Sequence, residues 1–95
     1  MKIEDVIWLR AVIDNLARKH QVEPYEVEEV FGEKPKVRFV EKGQRKGENV
    51  YMALGQTSNR RYLTVLFIYK PSTKHALILS ARDMMTNERK QYAKK

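Results

Sequence analysis

The sequence contains no cysteine, only two histidines and only four glycines in 95 residues. Without thiols, neither a disulfide scaffold nor a thiolate metal site can form. His20 and His75 lie far apart with no carboxylate at ligand spacing beside either, so no zinc site is expected. The glycines make no phosphate-cradling loop, and no Gly-x-Ser-x-Gly elbow is present. Nucleotide-cofactor and serine-hydrolase chemistry are therefore set aside. No stretch approaches the ~18 consecutive apolar residues of a membrane-spanning helix. The opening Met1-Lys2-Ile3-Glu4-Asp5 carries acids where a signal peptide has a positive start and an apolar core. A cytoplasmic protein with no metal, no cofactor and no membrane contact is expected.

Acidic residues are also missing from positions 49–81. Residues 1–32 hold four Lys/Arg against seven Asp/Glu, and the remainder holds fifteen against five, so −3 and +10 make the net charge of +7. An acidic first third followed by a basic remainder predicts one face that repels polyanions and another that attracts them. Nucleic acid is the partner this charge suits best.

Apolar spacing outlines the elements. Lys2 to Trp8 alternates weakly and is read as a short edge strand. Leu9, Val12, Ile13, Leu16 and Ala17 follow a helical period that ends near Lys19-His20. Pro24 is placed at the first position of a second helix, with Glu26 at N3, Val22 stapled on Val27, and Val27, Val30 and Phe31 buried. Gly32 is expected just past its end. The period then becomes two: Lys36–Lys42, Asn49–Thr57, Tyr62–Tyr69 and His75–Arg82 read as strands, and Thr86–Lys95 as a polar helix. Residues 1–95 thus predict a single α+β domain: a short N-terminal strand, two helices, an antiparallel three- to four-stranded meander and a C-terminal helix. Simple alternation sets Ile78, Ser80 and Arg82 on one face of the last strand and Leu77, Leu79 and Ala81 on the other.

What chemistry remains lies in cations, aromatics and a few acids, and that set suffices for RNA. The 2′-hydroxyl is a nucleophile already attached to the substrate, so the protein supplies positioning, proton transfer and charge stabilisation. Lys19-His20 closes the first helix, where a cation also satisfies the helix dipole. Gln44-Arg45-Lys46-Gly47-Glu48 offers two phosphate-binding cations and a carboxylate base on a loop between strands. Arg60 and Arg61, in the next turn, join Arg45 and Lys46 as expected RNA-binding residues. Arg82 ends a strand, and Arg89 and Tyr92 share one side of the last helix, able to bracket a phosphate and stack on a base. The plain alternative for this cluster is a surface helix held by pairing of arginine with Asp83 or Glu88. His75 receives no assignment.

These strings resemble the BrnT toxins of bacterial type II toxin–antitoxin pairs. The resemblance rests on Trp8, Lys19-His20, Val22, Glu28-Glu29-Val30-Phe31, Gly47-Glu48, Tyr51, Ala53-Leu54-Gly55-Gln56-Thr57, Ser80-Ala81-Arg82, Glu88-Arg89 and Tyr92. It implies a RelE-like ribonuclease fold, metal-independent RNA cleavage that stalls translation, and neutralisation by a DNA-binding BrnA-type antitoxin with which the toxin represses its own operon. Carried over by position, it implies catalytic roles for Lys19, His20, Glu48, Arg82, Arg89 and Tyr92. The sequence departs from the family pattern at Gln44 and Val50, where His and Arg commonly flank Gly-Glu, and at Met85, where Thr usually opens the last helix. Gln44 and Val50 keep open a non-catalytic RNA- or ribosome-binding module, and the basic charge leaves a third reading, a protein-interaction domain whose groove holds an acidic antitoxin segment.

Overall fold

The computed structural model describes residues 1–94. The elements are β1 (Asp5–Ile7), α1 (Arg10–Asn15), a π-helical continuation (Leu16–His20), α2 (Pro24–Gly32), β2 (Lys36–Glu41), β3 (Val50–Gln56), β4 (Tyr62–Lys70), β5 (His75–Asp83) and α3 (Thr86–Ala93). The α+β class and the antiparallel meander β2–β5 match the expected pattern. The sheet nevertheless has five strands, in the order β1-β5-β4-β3-β2, and β1 runs parallel to β5 through the register Asp5↔His75. Three residues carry too little alternation to declare a direction. The partner is chosen by the crossover through both helices, which a parallel pair requires.

Local chemistry explains the helix ends. Pro24 opens α2, and the Glu23 N–H donates to Glu26 Oε1 at 3.0 Å, filling a capping position as expected. The far end differs from the expectation. Gly32 is still helical, the Glu33 N–H still reaches Glu29 O, and the left-handed residue is Lys34 (φ 54°). Before α2, Gln21 turns left-handed (φ 51°), and Leu16 O accepts from the Val22 N–H at 3.1 Å. That wide closure keeps Leu16 and Val22 in the core.

The helices pack on both faces of the sheet. Val22, Val27 and Val30 meet Ala53, Leu63, Val65, Phe67, Ala76, Ile78 and Ala81 on one face. Phe31 stands edge-on to Phe67 at 5.2 Å, and Tyr51 stacks on Phe67 at 5.9 Å. Gly55 is required there: a Cβ would lie 2.6 Å from Val30 Cγ1. Gly55→Ala should therefore cost about 1–3 kcal/mol by overpacking, read as a lower midpoint in urea unfolding.

One strand corrects a sequence expectation with consequences for function. In β5 the pairing with β4 shifts between Leu66↔Ser80 and Phe67↔Ile78, leaving Leu79 as an extra residue. The bulge inverts the alternation, so Ala76, Ile78 and Ala81 all face the core while Leu77, Ser80 and Arg82 share the opposite face. Ile78 is thus separated from Ser80 and Arg82. The acidic α2 covers the core face, and the opposite face carries Lys36, Arg38, Lys70, His75 and Arg82 along its strands.

Candidate active site

On the face away from α2, β3, β4 and β5 present Val50, Met52, Leu66, Ile68 and Leu77, all half-buried, as an apolar floor. The helix α3 covers only the Gln56–Tyr62 end of this face. At the other end the β2–β3 loop rises as a wall, enclosing an open cleft of about 580 Å³ lined by Glu41, Lys42, Gln44, Arg45, Glu48 and Lys70 over Val50, Ile68 and Leu77.

Within the cleft, Lys70 Nζ donates to Glu48 Oε1 at 3.1 Å, each side chain about one-quarter exposed. The carboxylate is placed by the loop's fold. Gly47 adopts φ 82°, the Glu48 N–H returns to Arg45 O at 3.1 Å, and the Gly43 Cα lies so close to the Glu48 carbonyl that a side chain could not fit. His75 is the cross-strand neighbour of Lys70 and projects from the same face. Lys70 drew no notice in the sequence and His75 no assignment, because neither belongs to a motif. Both flank the β4–β5 turn, so a hairpin reading of Lys70 to His75 would have placed them opposite each other.

The other predicted residues gather elsewhere. Arg82 lies under α3, not in the cleft. Its Nη1 and Nη2 grip Glu88 Oε1 and Oε2 at 2.7 and 2.8 Å, and Oε1 also accepts from Thr64 Oγ1 (2.9 Å) and the Met85 N–H (2.8 Å). The Arg82 guanidinium, outweighing the burial that opposes it, holds the Glu88 carboxyl down at about 2 from 4.5. Glu88 thereby supplies the helix cap that Met85 lacks. Beside this latch, the Arg89 guanidinium sits 4.1 Å over the Tyr62 ring, and Tyr92 stands edge-on to Tyr62 at 5.9 Å. Along β4, Thr64 and Lys70 are six residues apart, so the latch and the cleft are separated by roughly 20 Å.

Arg61 is spent on structure. It donates to Asp83, Glu26 and the carbonyls of His20 and Gln21 at 2.7–3.3 Å, closing the end of the π-helical segment. The same contact lowers the Asp83 carboxyl, to which the nearby His20 charge adds. His20 is half-buried on this shoulder, and Lys19 is exposed next to it. Neither reaches the cleft of Glu48. Arg45, Lys46 and Arg60 are exposed, the first two on the cleft wall's loop and the third in a left-handed turn. Among the described residues, no group of three or more His, Asp or Glu is arranged to hold a metal ion, and no helix is long and apolar enough to cross a membrane.

Against known families, residues 11–88 match the sequence model of the BrnT ribonuclease toxin of type II toxin–antitoxin systems. This chain belongs to the BrnT family. No curated protein matches it. BrnT membership makes RNA the substrate class and an antitoxin the partner. Several motif residues of this BrnT chain serve the scaffold: the Trp8 Nε1–H donates to Glu28 at 3.3 Å, Glu29 accepts from Ser58 Oγ at 2.7 Å, and Glu88 holds Arg82.

Proposed function

We propose that this BrnT toxin cleaves RNA without a metal ion in the cleft of Glu48 and Lys70. It acts in the cytoplasm and arrests translation there until a BrnA-type antitoxin covers the same basic face. The observation that carries the reading is the Glu48–Lys70 pair opening onto an apolar-floored cleft. The Glu48 carboxylate accepts the proton of the 2′-hydroxyl as that oxygen attacks the adjacent phosphorus. Lys70, with Arg45 on the wall, neutralises charge on the phosphorane. The bond to the 5′-oxygen breaks, and that oxygen takes a proton from the His75 ring. The products are a 2′,3′-cyclic phosphate and a 5′-hydroxyl. Flanking phosphates run along the cations of the sheet face and its rim, including Lys46, Arg89 and, on the shoulder, Lys19 and His20. Tyr92 stacks on a base. Arg82 acts through Glu88, by fixing the helix that carries Arg89 and Tyr92.

Purified protein incubated with RNA in excess EDTA should yield fragments with cyclic-phosphate ends. Cleavage abolished by EDTA would refute the metal-free reading. Gly43→Ala should cut the rate by up to ~10²-fold by shifting Glu48, and it should also lower the unfolding midpoint, because the added Cβ meets the Glu48 backbone carbonyl. A second reading, a non-catalytic RNA- or ribosome-binding module, draws on Gln44, which lines the cleft and transfers no proton. It predicts salt-sensitive binding with no fragments on prolonged incubation.

A further inference from the structure

A second cleft lies beyond the end of α3, separate from the one that holds Glu48. It has a volume of about 530 Å³ and is lined by Glu33, Gln56, Thr57, Ser58, Arg60, Tyr62 and Tyr92. Glu33 sits at the C-terminal cap of α2, where the helix dipole disfavours a negative charge. Arg60 takes φ 65° in the turn that its N–H closes on Thr57 O at 2.9 Å, and its side chain is exposed at the rim. Among the described residues neither side chain makes a hydrogen bond or an ion pair, and the two are not within ion-pair distance of each other. The floor is aromatic: Tyr62 with Tyr92 edge-on, and Arg89 on the Tyr62 ring.

We infer that this cleft is a guanine-reading subsite for the RNA bound by the toxin. The chemistry of its rim selects one base. Guanine presents two adjacent donors, N1–H and the N2 amino group, which a carboxylate accepts as a pair. Its O6 and N7 form an acceptor pair that a guanidinium meets with both of its prongs. Glu33 supplies the first group, Arg60 the second, and Tyr92 the stacking surface. Adenine sets its N1 lone pair against the carboxylate, and uracil and cytosine lack the adjacent donor pair. The inference rests on the RNA reading of the sheet face. Because β3 spans roughly 20 Å between the two clefts, the guanine lies a few nucleotides from the cut and not beside it.

The test uses the full chain, calorimetric titration with guanosine and adenosine 3′-monophosphates, and short RNAs that differ only in one G, inosine, 7-deazaguanine or A. The G-containing RNA should bind roughly tenfold or more tightly than its A counterpart. Inosine, lacking the N2 donor, and 7-deazaguanine, lacking the N7 acceptor, should fall between. Glu33→Gln should reduce the G-to-A ratio towards one, and Arg60→Ala should remove the difference between G and 7-deazaguanine. Matching urea midpoints for both variants establish that the fold is kept. Equal binding of G and A, or a G preference that survives both substitutions, overturns the inference. So does selective binding of the free guanosine nucleotide with no selectivity in RNA, which would mark a mononucleotide site. Cleavage without base preference defeats the subsite and leaves the nuclease reading standing. Guanine-selective binding without cleavage supports the subsite and defeats the nuclease reading.

Discussion

Glu48→Gln should lower the rate of RNA cleavage by ~10²–10⁴-fold, the usual worth of a positioned general base, while RNA affinity changes little. The amide keeps the size of the side chain and a hydrogen-bonding oxygen, but it cannot take the 2′-hydroxyl proton. Lys70→Met should lose ~10²–10³-fold by removing the charge that meets the phosphorane. Neither change should cost much stability, because the pair is partly hydrated and such pairs contribute roughly 0–1 kcal/mol. If the two residues act as one unit, the double variant should be little worse than the more damaged single one. Single-turnover cleavage of a short RNA separates these outcomes from weakened binding. A Glu48→Gln enzyme that cleaves at the parental rate would remove the carboxylate from the mechanism.

The second large effect concerns the latch under α3. Glu88 gathers two guanidinium N–H groups, a hydroxyl and a backbone N–H, with its side chain only 9% exposed. Its folded value, near 2 against 4.5, is depressed. The stability linked to it is therefore present above pH 4.5 and is lost as the pH falls through that window towards 2. A difference of this size corresponds to about 3 kcal/mol, a large part of what a small domain possesses. Urea unfolding at a series of pH values should show the parent weakening below pH 4.5. Glu88→Gln should be weaker by a comparable amount at pH 7, with a flatter profile across the same range. Equal stabilities of the two proteins at pH 7 would show that the latch contributes nothing. Arg82→Ala should also destabilise, since it strands a buried carboxylate. A loss of toxicity in that variant thus reports on the helix as well as on RNA contact. Arg89→Ala removes only an exposed cation over Tyr62 and is the cleaner probe of binding.

Much of the fold was legible because it is local. Pro24 with Glu26 set the start of α2, and period-two alternation located β2, β3, β4 and β5 to within a residue or so at most ends. The candidate site was legible only in part. Glu48 was found because its loop is rich in polar residues and glycine. Lys70 went unnoticed and His75 was given no role, because their meaning comes from the pairing Lys70↔His75, which lies outside any motif. Arg61 looked like a free cation in a turn, yet its partners are 22 to 41 positions away in sequence. Arg82 offered two fates, phosphate contact or pairing on the last helix, and spacing alone did not choose between them.

By itself the sequence determined the class of fold, the opposition of acidic helices to basic strands, and the family. Each depends on composition, short-range periodicity or ordered motifs, all of which are properties of the linear chain. Tertiary structure decided the direction of β1, the inversion of faces at Leu79, the burial of Arg61, the capture of Arg82 by Glu88 and the meeting of Glu48 with Lys70. Those outcomes depend on strand register and on one extra residue in a ladder. A shift of one position turns every following side chain to the other face, and no local preference records it.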